Sequence, residues 1–190
     1  SSGNNGQIRL GTNARIENRG TWLDQIAVNS SINASLGGGG TFINTATGTY
    51  RKTGGTTTTN SSVMNNDGLV EIQAGTLELS GGGTHNGDFV MSGSGVLSVT
   101  GGTHNFLAPS SISGANFAFA GATMNMGGTY DISGTTSVTG GTNSLAAANL
   151  VNLGSTLAIS GGSLDLGALS PTVTTFNHSG GTLSGTGTVT

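Results

Sequence analysis

The chain has 190 residues, of which 36 are Gly, 29 Thr, 23 Ser and 18 Asn. Four small residue types that form helices poorly thus make up more than half of it, which excludes an ordinary helical domain. Charged residues are 7% and the net charge is −3, too little for an open, self-repelling disordered chain and the wrong sign for non-specific nucleic-acid binding. Cys is absent, so disulfides and thiolate metal sites are excluded as well.

The chain opens on Ser1-Ser2-Gly3-Asn4-Asn5. No basic segment followed by an apolar run stands there, so any secretion signal is expected to be removed or to lie outside this sequence. Residues 1–62 carry loosely repeated tips followed by alternating stretches: Asn5-Gly6 before Ile8 and Leu10, then Asn18-Arg19-Gly20 before Trp22. Gly37 to Gly40 and Thr53 to Thr59 read as loops or solvent-facing turns. This part is either a terminal cap or a set of looser coils. All five cations, Arg9, Arg15, Arg19, Arg51 and Lys52, fall before residue 53.

Residues 63–190 repeat more regularly. Asn66-Asp67-Gly68 leads into Val70 and Ile72, and Gly pairs then close Gly75-Thr-Leu-Glu-Leu-Ser-Gly-Gly82, Gly95-Val-Leu-Ser-Val-Thr-Gly-Gly102, Ala122-Thr-Met-Asn-Met-Gly-Gly128, Thr135-Thr-Ser-Val-Thr-Gly-Gly141 and Ser155-Thr-Leu-Ala-Ile-Ser-Gly-Gly162, with a shorter Phe176-Asn-His-Ser-Gly-Gly181. Leu77/Leu79, Leu97/Val99, Met124/Met126 and Leu157/Ile159 alternate with small polar residues at the period of half-buried strands. Gly pairs starting at 81, 101, 127, 140, 161 and 180 give steps near twenty residues, with one long and one of thirteen. Two or three short strands with tight turns consume such a step, the length of one solenoid coil. Each coil has too few apolar residues to bury a face alone and must stack about 4.8 Å from a neighbour. The fold predicted is all-β: a parallel β-solenoid of about eight coils and roughly 40 Å, a right-handed β-helix by the crossover preference of parallel strands. The longest apolar stretch, Leu145 to Leu153, is broken by Asn149 and Asn152 and falls short of the roughly 20 residues of a membrane span.

The run Asn65-Asn-Asp-Gly-Leu-Val-Glu-Ile-Gln-Ala-Gly-Thr-Leu-Glu-Leu-Ser-Gly-Gly-Gly-Thr84 and the closing Gly180-Gly-Thr-Leu-Ser-Gly-Thr-Gly-Thr-Val-Thr190 resemble the β-strand repeats of large secreted bacterial surface proteins, the autotransporter passengers and filamentous-haemagglutinin-like adhesins. The resemblance covers roughly residues 60–190. It implies a right-handed β-helix, export to the bacterial cell surface, and a stalk or adhesive role, and it carries over no catalytic residue. Specificity in such adhesins often resides in protruding loops, for which Phe106–Asn116, Asn143–Asn152 and Ala168–Thr175 are the candidates. The expected partners are further coils of the same protein or other copies end to end, with surface glycans or cell-surface receptors. The alternative is a carbohydrate-binding or polysaccharide-cleaving β-helix of phage-tailspike type.

Candidate sites are few. His85 and His104 occupy equivalent places in Gly-Gly-Thr-His-Asn and are expected to stack, as a solvent-facing polar ladder or, alternatively, as two ligands of a shared transition metal with Asn86 or Asp88. Glu71, Glu78 and Asp88 form the densest carboxylate group, the pairing a glycosidase needs. Glu71 and Glu78 alternate with apolar neighbours on the solvent side of their strands, with no Arg or Lys nearby, so no enzymatic activity, cofactor or metal is predicted. Asp131 and Asp165 are too isolated for calcium. Lys52, the only lysine, reads as a solvated charge, with an isopeptide crosslink to an Asn as the other option. Trp22, Tyr50 and Tyr130 read as core or cap residues. An ice-binding surface would need Thr in register, whereas Thr84, Thr103, Thr129 and Thr142 are expected at turns.

Overall fold

A computed structural model describes residues 6–190, and the Asn5 half of the first tip lies outside them. Among these residues there are 21 strands and no helix, and every strand pairing is parallel. The chain winds into a β-solenoid of about nine turns, one more than the repeat count predicts.

The turns have three faces, of which the last two turns keep only the first two as strand. Face A stacks Gln7–Gly11, Ser30–Leu36, Thr57–Asn60, Thr76–Leu79, Val96–Val99, residues 116–119, residues 135–138, Thr156–Ile159 and Thr175–His178. Face B runs from Arg15–Asn18 to Thr182–Ser184, and face C from Thr21–Asp24 to Asn149–Leu153. Within each strand alternate residues point inward, as the pleat dictates. Leu77 and Leu79, for example, are fully buried while Thr76 and Glu78 face outward. One continuous core results, from Leu10 to Leu166.

The register corrects the repeat alignment. Gln7 pairs with Ser31 and Ser31 with Thr59, so the first two turns take 24 and 28 residues. From Thr57 onward, the pairings Thr57–Thr76–Val96–Asn116–Thr135–Thr156–Thr175 give turns of 19 to 21. The apparent thirteen-residue step arises because Gly127-Gly128 lies at the corner from face B to face C. The corner equivalent to Gly101-Gly102 in that turn is Gly121-Ala122. Strands that begin with Thr after a Gly occur on all three faces, at Gly75-Thr76, Gly102-Thr103 and Gly128-Thr129, so the motif does not identify its own corner.

Two of the three predicted loops are not loops. Phe106–Asn116 turns tightly at residues 107–110 and continues as strand, and Asn143–Asn152 turns at 145–148 over the buried Leu145. Only Ala168–Thr175 lacks strand over nearly all its length. The extra length of the early turns lies instead at 25–29 and 37–40. Thr53–Thr59 is not all turn either, since Thr57–Asn60 is a face A strand with Thr58 buried.

Candidate functional site

The polar groups that could do chemistry are distributed between the solenoid interior and its outer faces, and the interior holds the more unusual ones. At the inward positions of face B, Asn18, Asn44 and Asn66 stack in register. The Asn18 Nδ2 donates to Asn44 Oδ1 and the Asn44 Nδ2 to Asn66 Oδ1, each at 2.8 Å. Each amide also reaches a backbone carbonyl of the next turn, those of Thr49, Leu69 and Asp88. Buried amides so paired avoid the cost of unsatisfied polar groups.

His85 continues that column above Asn66, but it stacks on Phe106, while His104 lies above Gly83. Gly83 leaves the space that this offset requires: a Cβ there would fall 1.8 Å from the Met64 carbonyl, at a φ of +155°. The two imidazoles are nearly parallel with centroids 5.4 Å apart, and both are fully buried. The solvent-facing ladder expected for them is therefore replaced by an interior pair. The sequence pattern misplaced them because Thr84 and Thr103, just before each histidine, take the outward positions.

Their hydrogen bonds settle the tautomers. His104 Nε2 lies 3.1 Å from the Gly101 carbonyl and must donate to it, so its Nδ1 accepts from His85 Nε2 at 3.1 Å. His85 Nδ1 is left as a buried acceptor without a partner, beside the rings of Phe89 and Phe106. Burial, with His104 adding to it, lowers the His85 pKa to about 3. Burial also lowers that of His104, against the raising effect of the Gly101 and Leu79 carbonyls. Both are neutral bases in an apolar setting. Among the described residues no group of three or more His, Asp, Glu or Cys side chains converges as a metal would require.

A second interior cluster joins the first three turns. Lys52 and Asp24 are 0% and 4% exposed, so the solvated reading of the only lysine is overturned. They face each other at inward positions of face C, a column that turns apolar above them at Ile72 and Met91. Lys52 Nζ is 3.6 Å from Asp24 Oδ2 and donates to Thr58 Oγ1 at 3.0 Å. Tyr50 and Thr58 hydroxyls both donate to Asp24 Oδ2, at 2.9 and 2.6 Å. Burial lowers the Lys52 pKa, opposed by the Asp24 charge, and raises that of Tyr50 with Asp24 reinforcing it. Tyr50 and Tyr130 are core residues and Trp22 is half-buried against Phe42, as expected of all three.

The outer carboxylates do not form a pair. Glu71 is on face C and Glu78 on face A, and Glu71 binds Arg51 at 2.5 Å across one turn. The expectation that no cation lies nearby is corrected: Arg51 and Glu71 are twenty residues apart in sequence but pair directly between coils. Glu78 accepts from Thr59 and Asp88 from Ser111.

The Thr residues also lie elsewhere than expected. Thr103, Thr123, Thr142, Ser163 and Thr182 form one outward rank on face B, in strand and in register. Asn105, Asn125, Ser144, Asp165 and Ser184 form the rank beside it. Five successive turns thus present a surface of hydroxyl and amide groups, with the one carboxylate of Asp165, and without a bulky side chain. The signal was present in the sequence as Thr103-His-Asn105, Thr123-Met-Asn125, Thr142-Asn-Ser144, Ser163-Leu-Asp165 and Thr182-Leu-Ser184, each at or just after a Gly corner.

Compared with known proteins, the chain matches no family model, no curated protein and no solved structure. Among the described residues no helix is long and apolar enough to cross a membrane.

Proposed function

We propose that this chain is a structural and adhesive segment of an exported bacterial surface protein, a rigid β-helical spacer that presents the hydroxyl and amide surface of face B. The observation that carries the reading is the double rank on that face, five turns long and set on a rod whose strands pair turn to turn from end to end. Stacking at about 4.8 Å per turn gives a rod of roughly 40 Å. Regular small polar groups at that spacing suit an extended polymer such as a surface glycan, which offers repeated hydroxyls for many weak bonds. Further coils or other copies would continue the strand ladder at either edge.

A glycan array with the wild-type chain and a Thr123→Lys, Thr142→Lys variant tests the adhesive part. Binding that the variant loses supports it, and an array without signal refutes it. The register of the threonines also favours a second reading, in which the same face binds the surface of ice. Thermal hysteresis at millimolar protein that the same variant abolishes would select it over the glycan reading.

A further inference from the structure

We propose that Lys52 and Asp24 become joined by an intramolecular amide bond that ties the first turn of the solenoid to the second. Four features of the pair point to it. The ammonium has three hydrogens to place, yet Nζ makes one hydrogen bond, to Thr58 Oγ1, and the carboxylate oxygen at 3.6 Å lies beyond hydrogen-bond distance. The Asp24 Oδ2 is already engaged by two hydroxyls, from Tyr50 and Thr58. A buried ion pair is seldom more stable than apolar side chains in the same space, and the column above holds Ile72 and Met91. The early turns, at 24 and 28 residues, are also the least regular, where a crosslink between distant residues restricts the unfolded chain most.

The same groups supply the chemistry. The step begins with one proton passing from the Lys52 ammonium to Asp24 Oδ1, which leaves an amine beside a carboxylic acid. The Nζ lone pair adds to Asp24 Cγ, and the charge that develops on Oδ2 is held by the Tyr50 and Thr58 hydroxyls, as donors hold an oxyanion. The Cγ–Oδ1 bond then breaks and Oδ1 leaves as water, taking the acid proton and a second proton from nitrogen. Overall, ammonium and carboxylate give amide and one water, with no oxidant or co-reactant. A cavity of about 250 Å³ lined by Asp24, Ile26, Ser30 and Thr58 adjoins the carboxylate and receives the water.

The test is the intact mass of the folded wild-type chain, its fold checked by its far-ultraviolet β signature. The expected mass is one water short of the sequence. Trypsin should then leave the 20–51 peptide attached to the fragment that begins at Lys52. A Lys52→Met variant should show the full mass, and Tyr50→Phe should slow the loss of water roughly a hundredfold, the usual effect of one missing oxyanion donor. Full mass in the folded wild type overturns the proposal, because the pair is then ionic only. A water loss that persists in Lys52→Met overturns it equally, since it then arises at another residue.

Discussion

Lowering the pH from 7 should destabilise this solenoid through His85. Its lone free acceptor is Nδ1, which faces Phe89 and Phe106 and has no partner for an added hydrogen. The folded-state pKa is about 3 against an ordinary 6.5. Because the folded value is depressed for a base, the unfolded chain binds the proton first. Stability is therefore complete above pH 6.5, falls as pH drops through the window from 6.5 to 3, and levels off below it. At 1.36 kcal/mol per unit, a shift of 3.5 units corresponds to roughly 5 kcal/mol lost by pH 3 from His85 alone, a large part of the 5 to 15 kcal/mol typical of a domain. The assay is urea unfolding at half-unit steps of pH, for wild type and for His85→Leu. The wild type should lose about 1.4 kcal/mol per pH unit more than the variant between pH 6 and 4. Parallel pH profiles, or an imidazole signal of His85 that titrates near 6.5 in the folded chain, would refute the reasoning.

Three further outcomes follow from the packing. Asn44→Ala removes the central member of the asparagine column, leaving Asn18 and Asn66 and the carbonyls of Gly48 and Leu69 short of partners. It should cost about 3 kcal/mol or more in denaturant unfolding. Gly83→Ala forces a Cβ against the Met64 carbonyl, so the strand must shift and the His85–His104 bond break. The expected result is a large fall in melting temperature together with loss of the pH window described for His85. Glu71→Gln, by contrast, touches a pair whose Arg51 is 41% exposed and should change stability by less than about 1 kcal/mol. A cost well above that would mean that the outer ion pairs hold the turns together.

The solenoid was legible because its two signals are local. Alternation within Leu77-Glu78-Leu79 or Leu157-Ala158-Ile159 reports a strand, and Gly corners near every twentieth residue report a turn. What the sequence left ambiguous was which corner each Gly pair makes, since a Gly followed by Thr opens strands on all three faces, as at Gly75-Thr76, Gly102-Thr103 and Gly128-Thr129. Inward and outward residues differ by a single position, so shifting the frame by one moves a histidine from surface to core. His85 and His104 were misplaced in that way. Lys52 with Asp24 was invisible because their contact spans the longer second turn, whereas Arg51 with Glu71 lies one ordinary turn apart and was missed because the regular repeat was read only from residue 63 onward.

The polar interior is concentrated where coil length varies. In turns of 19 to 21 residues, equal length and Gly corners place each strand over its neighbour, and stacked Leu, Phe, Val and Ile fill the inside. The first two turns carry the excursions at 25–29 and 37–40, so length no longer dictates which residues meet. There, and where the third turn stacks on them, the inside contains Asn18, Asn44 and Asn66 in one column and Asp24, Lys52, Ser30 and Thr58 in the others. An apolar column tolerates a slipped strand, since one aliphatic residue on another costs little wherever it falls. An asparagine that must meet both the next asparagine and a particular carbonyl does not tolerate it, because a slip leaves several buried groups unpaired at about 1 to 3 kcal/mol each. The polar columns thus penalise wrong registers where turn length has ceased to do so, and mostly apolar columns follow from Leu77 and Leu79 onward, where the turns are uniform and buried polar residues such as His85, His104 and Asn143 are set singly or in pairs among them.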